Sequence, residues 1–73
     1  MNYFELYNIP VSLQPDQTIV KQRFYELSRK YHPDLHSLAD DAEQAEILEK
    51  ASQVNMAYKV LVHPDEVIKY VYS

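Results

Sequence analysis

The tripeptide His-Pro-Asp occurs twice in the chain, at residues 32–34 and again at residues 63–65. Imidazole and carboxylate groups at this spacing, with His36 close by, are residue types that transfer protons or bind metal ions. Proton transfer needs a pocket and a substrate clamp, and a zinc site needs a further cluster of Cys, His or Glu ligands. The sequence indicates neither, and with no glycine it has no glycine-rich phosphate loop. We therefore expect no catalytic activity, no metal ion and no cofactor.

The composition narrows the class of protein further. A chain of 73 residues allows one domain, residues 1–73, and the absence of cysteine excludes disulfides and thiolate metal sites. The formal net charge of −4 argues against general nucleic-acid binding. The first residues show no signal-peptide pattern, and no apolar run approaches the roughly 20 residues that cross a bilayer. We expect a cytoplasmic monomer that binds neither nucleic acid nor membrane.

Proline and clusters of polar residues divide the chain into four predicted helices, at about 3–7, 16–31, 40–62 and 64–72. The composition is rich in Glu, Gln, Lys, Leu and Ala, which favour helices. Asp16 can accept hydrogen bonds from the free N–H groups of a first helical turn. Carboxylates near residues 39–41 likewise suit the positive end of the third helix.

Two apolar stripes predict how the long helices pack. In each stripe, apolar residues recur at alternating intervals of three and four, which places them on one face of a helix. The stripe residues are Val20, Phe24, Leu27 and Tyr31 in the second helix, and Ile47, Ala51, Val54, Tyr58 and Leu61 in the third. The predicted fold class is all-α, with these helices forming an antiparallel hairpin whose open side is covered by the two short helices.

The two tripeptides take different positions in this arrangement. A residue before proline is pushed out of the helical region, so the first copy is expected to end the second helix and place His32 and Asp34 at the hairpin tip. Pro64 instead suits the first turn of a helix, and Asp65 suits the positive end of its dipole. The third helix separates the copies by roughly 30 Å, so only the first lies near the basic end of the second helix.

The second helix presents a row of basic and aromatic residues. If the apolar stripe faces the core, Lys21, Tyr25 and Arg29 project outward together at positions i, i+4 and i+8. Arg23 and Lys30 flank the core on the opposite side. Arg and Tyr are enriched at binding hot spots, so a row of this kind beside the first tripeptide predicts a docking surface. An ordinary solvated helix face is the alternative.

In this order the segments resemble a known family. A basic helix ending in "KYHPD", a later "NMAYKVL" at residues 55–61 and a following "HP" are similar to the J-domain of the DnaJ co-chaperones. The similarity covers essentially the whole chain. The segments "YFELYNIP", "RFYELSRKYHPD" and "KYVYS" resemble one branch in particular, the HscB co-chaperones of iron–sulfur cluster assembly. Leu35 departs from the pattern, because many J-domains have a basic residue after the tripeptide.

The resemblance implies a co-chaperone module that docks on a DnaK/HscA-type chaperone and stimulates the ATPase of that partner. It implies that the triggering motif is His32, Pro33 and Asp34, and that the outward row forms the docking face with Arg23 and Lys30 as weaker members. It also implies that the stripe residues are core and that Asn55 is a buried, hydrogen-bonding residue. In the HscB family a C-terminal helical domain binds the iron–sulfur scaffold protein. Because no such domain is present in this sequence, we expect the scaffold protein to bind only through a domain absent here.

Two alternatives stay open beside this interpretation. The chain resembles J-domains in general, so it could be a DnaJ-type J-domain that serves clients other than iron–sulfur proteins. It could also be a helical adaptor outside chaperone function, in which both His-Pro-Asp tripeptides are merely turns. Substitution of Asp34 separates the adaptor from the J-domain. In both cases the exposed loop residue should change stability by only about 0.5 kcal/mol. In a J-domain, the substitution should also remove one partner of an interface charge pair, which costs about 2–5 kcal/mol.

Overall fold

Four α-helices and one short 3-10 turn make up the fold of the described residues. The computed structural model describes residues 2–36 and 38–73, without the side chains of residues 33 and 35. The helices are α1 (Tyr3–Leu6), α2 (Gln17–Lys30), α3 (Asp41–Leu61) and α4 (Pro64–Tyr72), and the 3-10 turn (Pro33–His36) lies between α2 and α3. The all-α prediction is confirmed, and each predicted helix boundary lies within one residue of the observed one.

Aspartate caps begin the two long helices. The side chain of Asp16 accepts hydrogen bonds from the N–H groups of Thr18 and Ile19, at 2.9 and 3.3 Å. The side chain of Asp40 accepts one from the N–H of Glu43 at 2.8 Å. Such side-chain acceptors satisfy donors that the first helical turn leaves unpaired. The aspartates expected at the helix starts therefore act as N-caps.

The end of α1 is formed by an asparagine in the left-handed region. Asn8 has a φ of 53°. Its N–H donates to the carbonyl of Glu5 at 3.1 Å, and the N–H of Ile9 donates to the carbonyl of Phe4 at 3.0 Å. These two bonds close a Schellman motif, whose left-handed position is most often glycine. Asparagine tolerates this conformation better than most residues, so it supplies the turn in a chain without glycine.

The two long helices run antiparallel, as the stripes predict. Gln17, at the start of α2, donates from Nε2 to the carbonyl of Leu61 at the end of α3, at 3.0 Å. The ring of Phe24, in the middle of α2, stacks on that of Tyr58, in the last turn of α3, with centroids 4.1 Å apart. Because the start of one helix meets the end of the other, the two helices must point in opposite directions.

The short helices meet each other and α3. The rings of Tyr3 and Tyr70 stack with centroids 4.5 Å apart, and the Tyr70 hydroxyl accepts a hydrogen bond from the Tyr3 N–H at 2.9 Å. The Tyr7 hydroxyl donates to the carbonyl of Val54 in α3 at 2.8 Å. Burial raises the pKa of Tyr7 well above its ordinary value, so the hydroxyl remains a proton donor. These bonds join the two short helices to each other and the end of α1 to the hairpin.

The core contains side chains from all four helices and from Tyr7, which caps the end of α1. Its buried members are Phe4, Tyr7, Val20, Val54, Ala57, Leu61 and Val67. Three of the stripe residues are among them, and four others pack half-buried against this cluster, namely Phe24, Leu27, Tyr31 and Tyr58. Ile47 and Ala51 are only half-buried, and the buried residues of α3 lie in its second half, at Val54, Ala57 and Leu61.

The prediction for Asn55 is wrong. Its side chain is exposed, and within residues 2–36 and 38–73 it forms no side-chain hydrogen bond. The buried face of α3 is set by Val54, Ala57 and Leu61. Asn55 lies about 100° around the helix from Val54 and still further from Ala57, which turns its amide toward solvent.

Candidate functional site

The first tripeptide lies where α2 ends. The N–H of Tyr31 donates to the carbonyl of Leu27 at 3.0 Å, and the N–H of His32 donates to the carbonyl of Arg29 at 3.4 Å. The chain then enters the 3-10 turn and does not form an open loop. The expected helix stop is confirmed, and the turn after it was not predicted from the sequence. The first residue of the tripeptide is therefore bonded directly to the last turn of α2.

His32 and Asp34 contact each other across the proline. The N–H of Asp34 donates to His32 Nδ1 at 3.3 Å, and the same Nδ1 lies 3.7 Å from Asp34 Oδ2. The two side chains are 56% and 90% exposed. The separation of 3.7 Å exceeds hydrogen-bond distance, so the exposed Asp34 carboxylate remains available to another molecule. The side chain of Pro33 and that of Leu35 lie outside the described residues.

His36 forms a contact that the sequence did not predict. Its ring Nε2 lies 2.8 Å from the carbonyl oxygen of Lys30 and donates a hydrogen bond to it. His36 is half-buried and lines a small cavity with Gln44, Ile47 and Leu48 of α3. In the sequence His36 suggests only a weak metal ligand. A histidine six residues after the end of a helix gives no periodic signal by which this contact could have been found.

The outward row of α2 is exposed as predicted. Lys21, Tyr25 and Arg29 all lie on the surface, with Tyr25 67% exposed. Among the ion pairs of the described residues, neither Lys21 nor Arg29 takes part. Arg29 is also linked to the tripeptide through its carbonyl, which accepts the His32 N–H. The row thus presents two exposed cations and an aromatic ring along α2, and Arg29 lies next to the 3-10 turn.

The flanking cations are engaged within the chain. Arg23 is half-buried, and its Nη1 lies 3.4 Å from Glu26 Oε2, while its Nε is buried and has no hydrogen-bond partner among the described residues. Lys30 Nζ lies 5.3 Å from the centroid of the Tyr31 ring, within the range of a cation–π contact. Both side chains line a shallow groove with the end of α1. Their charges are less available than those of the outward row.

The second tripeptide has a different structural setting. His63 is the N-cap residue of α4 and Pro64 its first residue, and no side-chain hydrogen bond caps the helix. Asp65 and Glu66 lie exposed in the first turn, where a carboxylate is favoured by the helix dipole. The prediction that this copy starts a helix is confirmed. The 21 residues of α3 separate it from the 3-10 turn, about 30 Å along the helix.

A cluster of metal-ligating side chains and a membrane-spanning helix are both absent from the part of the chain that the structure describes. In residues 2–36 and 38–73, no three His, Cys, Asp or Glu side chains are grouped so that they could hold a metal ion. None of the helices described is both long enough and apolar enough to span a membrane.

Comparison with known proteins identifies relatives of the chain. Residues 2–70 match the family model of the DnaJ domain. A co-chaperone protein HscB homolog of Vibrio campbellii is 37% identical over 71 residues, which are 97% of this chain and 42% of that protein. The co-chaperone protein HscB of Buchnera aphidicola is 41% identical over 61 residues, 84% of this chain and 35% of that protein.

A solved structure gives the same answer for the fold. The chaperone HscB from Vibrio cholerae superposes with a TM-score of 0.93 at 31% sequence identity. The match covers 97% of this chain and 44% of that one. The chain therefore spans less than half the length of each of these relatives, and nearly its whole length is matched by one part of them.

Proposed function

The chain belongs to the DnaJ domain family, and from that membership we propose that it is a co-chaperone module. In this proposal residues 1–73 act as one monomeric J-domain in the cytoplasm. The module docks on a DnaK/HscA-type chaperone and stimulates the ATPase of that partner through His32, Pro33 and Asp34. Hydrolysis takes place in the partner, so the module itself is not an enzyme.

The observation that carries this proposal is the setting of the Asp34 carboxylate. It is 90% exposed, and the ring nitrogen Nδ1 of His32 lies 3.7 Å from its Oδ2. It also sits in a tight turn directly after a helix whose exposed face is basic. A carboxylate held in this way can pair with a basic group of the partner. Truncating one member of a desolvated charge pair in an interface costs about 2–5 kcal/mol.

The outward row of α2 supports docking by charge and by an aromatic anchor. Lys21 and Arg29 attract an acidic partner surface, and Tyr25 offers a large exposed ring between them. Arg23 and Lys30 are the weaker members of this face, because both interact with neighbouring side chains of the chain. Electrostatic attraction of this kind speeds association and is weakened by salt.

The branch of the family suggests the clients. Because the relatives are named HscB, we propose that the module serves iron–sulfur cluster assembly, the role that the HscB resemblance implies. The iron–sulfur scaffold protein would then be bound through a C-terminal helical domain that is not among residues 1–73. The second candidate is a general DnaJ-type J-domain with other clients, which the family match alone supports equally.

ATP hydrolysis by a DnaK-type and by an HscA-type chaperone, titrated with the chain, tests the proposal. Tyr25→Ala is the test variant, and Tyr72→Ala is its matched control, since the two tyrosines are 67% and 75% exposed on different helices. We expect Tyr25→Ala to raise the half-stimulating concentration about fivefold or more, as truncation of a hot-spot residue does, and Tyr72→Ala to leave it unchanged. A wild-type chain that folds but stimulates neither chaperone would refute the J-domain function in favour of an adaptor.

A further inference from the structure

The carbonyl of Lys30 loses its ordinary helical partners because of the residues after it. In a helix, this oxygen would accept a hydrogen bond from the N–H three or four residues later. The residue three positions later is Pro33, which has no N–H. The residue four positions later is Asp34, whose N–H donates instead to His32 Nδ1 at 3.3 Å. The tripeptide therefore removes both donors from the end of α2.

His36 supplies the missing donor. Its Nε2 lies 2.8 Å from the Lys30 oxygen, shorter than either backbone bond that ends α2 at Tyr31 and His32, which measure 3.0 and 3.4 Å. The carbonyl of His36 in turn accepts a hydrogen bond from the N–H of Ala39 at 3.0 Å. Both the protonated ring and the neutral ring with its hydrogen on Nε2 can donate this bond. The ring thus closes a loop that encloses the whole tripeptide.

The 3-10 turn also lies close to α3. His36 is half-buried and lines a small cavity with Gln44, Ile47 and Leu48, in the first half of that helix. Its bond to Lys30 ties the 3-10 turn to the end of α2. Opening of the turn relative to the outward row of α2 requires the loss of this bond.

We propose that His36 is a positioning residue that fixes the Asp34 carboxylate relative to the docking face on α2. This inference rests on the proposed function and deepens it. Docking depends on the outward row, which His36 does not touch, whereas triggering depends on where Asp34 sits once the chain is docked. Loss of the His36 bond should therefore lower the maximal stimulation of the partner ATPase and leave the half-stimulating concentration nearly unchanged.

Two variants separate the hydrogen bond from the bulk of the ring. His36→Phe keeps a planar ring and removes the donor, while His36→Gln keeps an N–H donor on a flexible side chain. We expect His36→Phe to lower maximal stimulation about fivefold, the factor that corresponds to ~1 kcal/mol, with the half-stimulating concentration within about twofold of wild type. His36→Gln should recover at least half of the loss. Equal stimulation by wild type and His36→Phe, or no recovery in His36→Gln, would overturn the inference.

Amide hydrogen exchange in the chain alone tests the contact independently of any partner. We expect His36→Phe to speed exchange of the Tyr31 amide, in the last turn of α2, about fivefold. The Val20 amide, which bonds to the Asp16 carbonyl at 3.0 Å in the first turn, is the internal control and should not change. Unchanged exchange at Tyr31 would overturn the inference even if the chain stimulates a chaperone. A wild-type chain that stimulates no chaperone refutes the proposed function and with it the positioning role.

Discussion

The same three residues occur at two places in this chain and form two different structures. The first copy ends α2, and its Asp34 carboxylate is 90% exposed in a 3-10 turn. In the second copy, His63 and Pro64 begin α4, a helix anchored in the core by Val67. The first copy comes after a helix with a basic, exposed face, and the second after a helix whose last turns are buried against the core. The same tripeptide therefore forms two different structures, and the residues around it decide which one forms.

Proline explains how one sequence can serve both purposes. It cannot continue a helix from its interior, because it lacks the N–H and its ring meets the preceding turn, yet it suits a first turn. After α2 the chain continues into a short turn, where His36 bonds back to the helix end. After α3 the chain continues into residues 64–72, whose apolar positions can pack on the core. The residues after the proline thus decide whether the aspartate begins a helix or stays in a turn.

The largest difference is expected for the two aspartates. Asp34→Asn should lower stimulation of the partner ATPase more than about tenfold, because it removes one member of an interface charge pair worth about 2–5 kcal/mol. The free energy of unfolding should change by only about 0.5 kcal/mol, since the side chain is exposed. Asp65→Asn, assayed by the same ATPase titration, should stimulate within about twofold of wild type. Comparable losses in both variants would abolish the distinction between the copies.

The next largest effect is expected on stability, at Val67, which anchors α4 in the core. Val67 is fully buried and Val71 is 36% exposed on the same helix. Val67→Ala should lower the free energy of unfolding by about 2 kcal/mol through lost burial and the cavity left behind, and Val71→Ala by about 0.5 kcal/mol. Urea denaturation followed by circular dichroism measures both. At temperatures where each variant is folded, we expect wild-type stimulation, since α4 lies outside the docking face.

Charge reversal at one residue of α2 and at one residue of α4 is expected to have a smaller effect on stimulation. Arg29→Glu and Lys69→Glu change the net charge equally, on α2 and on α4, and both residues are exposed. Arg29→Glu should raise the half-stimulating concentration about tenfold at low salt, and less as salt is added. Lys69→Glu should change it by less than about twofold. Equal shifts would indicate that only the overall charge of the chain matters.

The smallest effect on stability is expected for the prolines of the two copies, which should differ instead in their effect on stimulation. Pro64→Ala should lower the free energy of unfolding by about 0.5 kcal/mol, because a proline at the first helical position restricts the unfolded chain. It should leave ATPase stimulation unchanged. Pro33→Ala supplies an N–H that the Lys30 carbonyl can accept, so it should be stable and yet poor in stimulation. Thermal unfolding and the ATPase titration are run on both variants. They test whether Pro64→Ala lowers stability alone and Pro33→Ala lowers stimulation alone.

Most of the fold could be predicted from the sequence because local signals and packing agree. The caps at Asp16 and Asp40, the proline at position 64 and the stripes of α2 and α3 each indicate the same boundaries that the structure shows. The buried residues of α1 and α4 could not be predicted, since a helix of 4 residues and one of 9 are too short to show a clear stripe. The burial of Asn55 rests on the family resemblance and not on its position on the helix, and it is wrong.

The site could be predicted only at the level of which residues are exposed. The positions of Lys21, Tyr25 and Arg29 follow from helical periodicity, and the structure places all three on the surface. The 3-10 turn and the bond from His36 to Lys30 could not be predicted, because they depend on which backbone donors the proline removes. The roles of these residues in docking and triggering stay predictions for the ATPase titrations to test.

Stimulation of a DnaK- or HscA-type ATPase by wild type, His32→Gln and His63→Gln tests the central claim most directly. Both substitutions remove an exposed imidazole that precedes a proline, so they are chemically matched. We predict that stimulation is lost in His32→Gln and kept in His63→Gln, with both chains folded by circular dichroism. Equal loss in both variants, or full stimulation by His32→Gln, would contradict the account that the first copy triggers the partner and the second begins a helix.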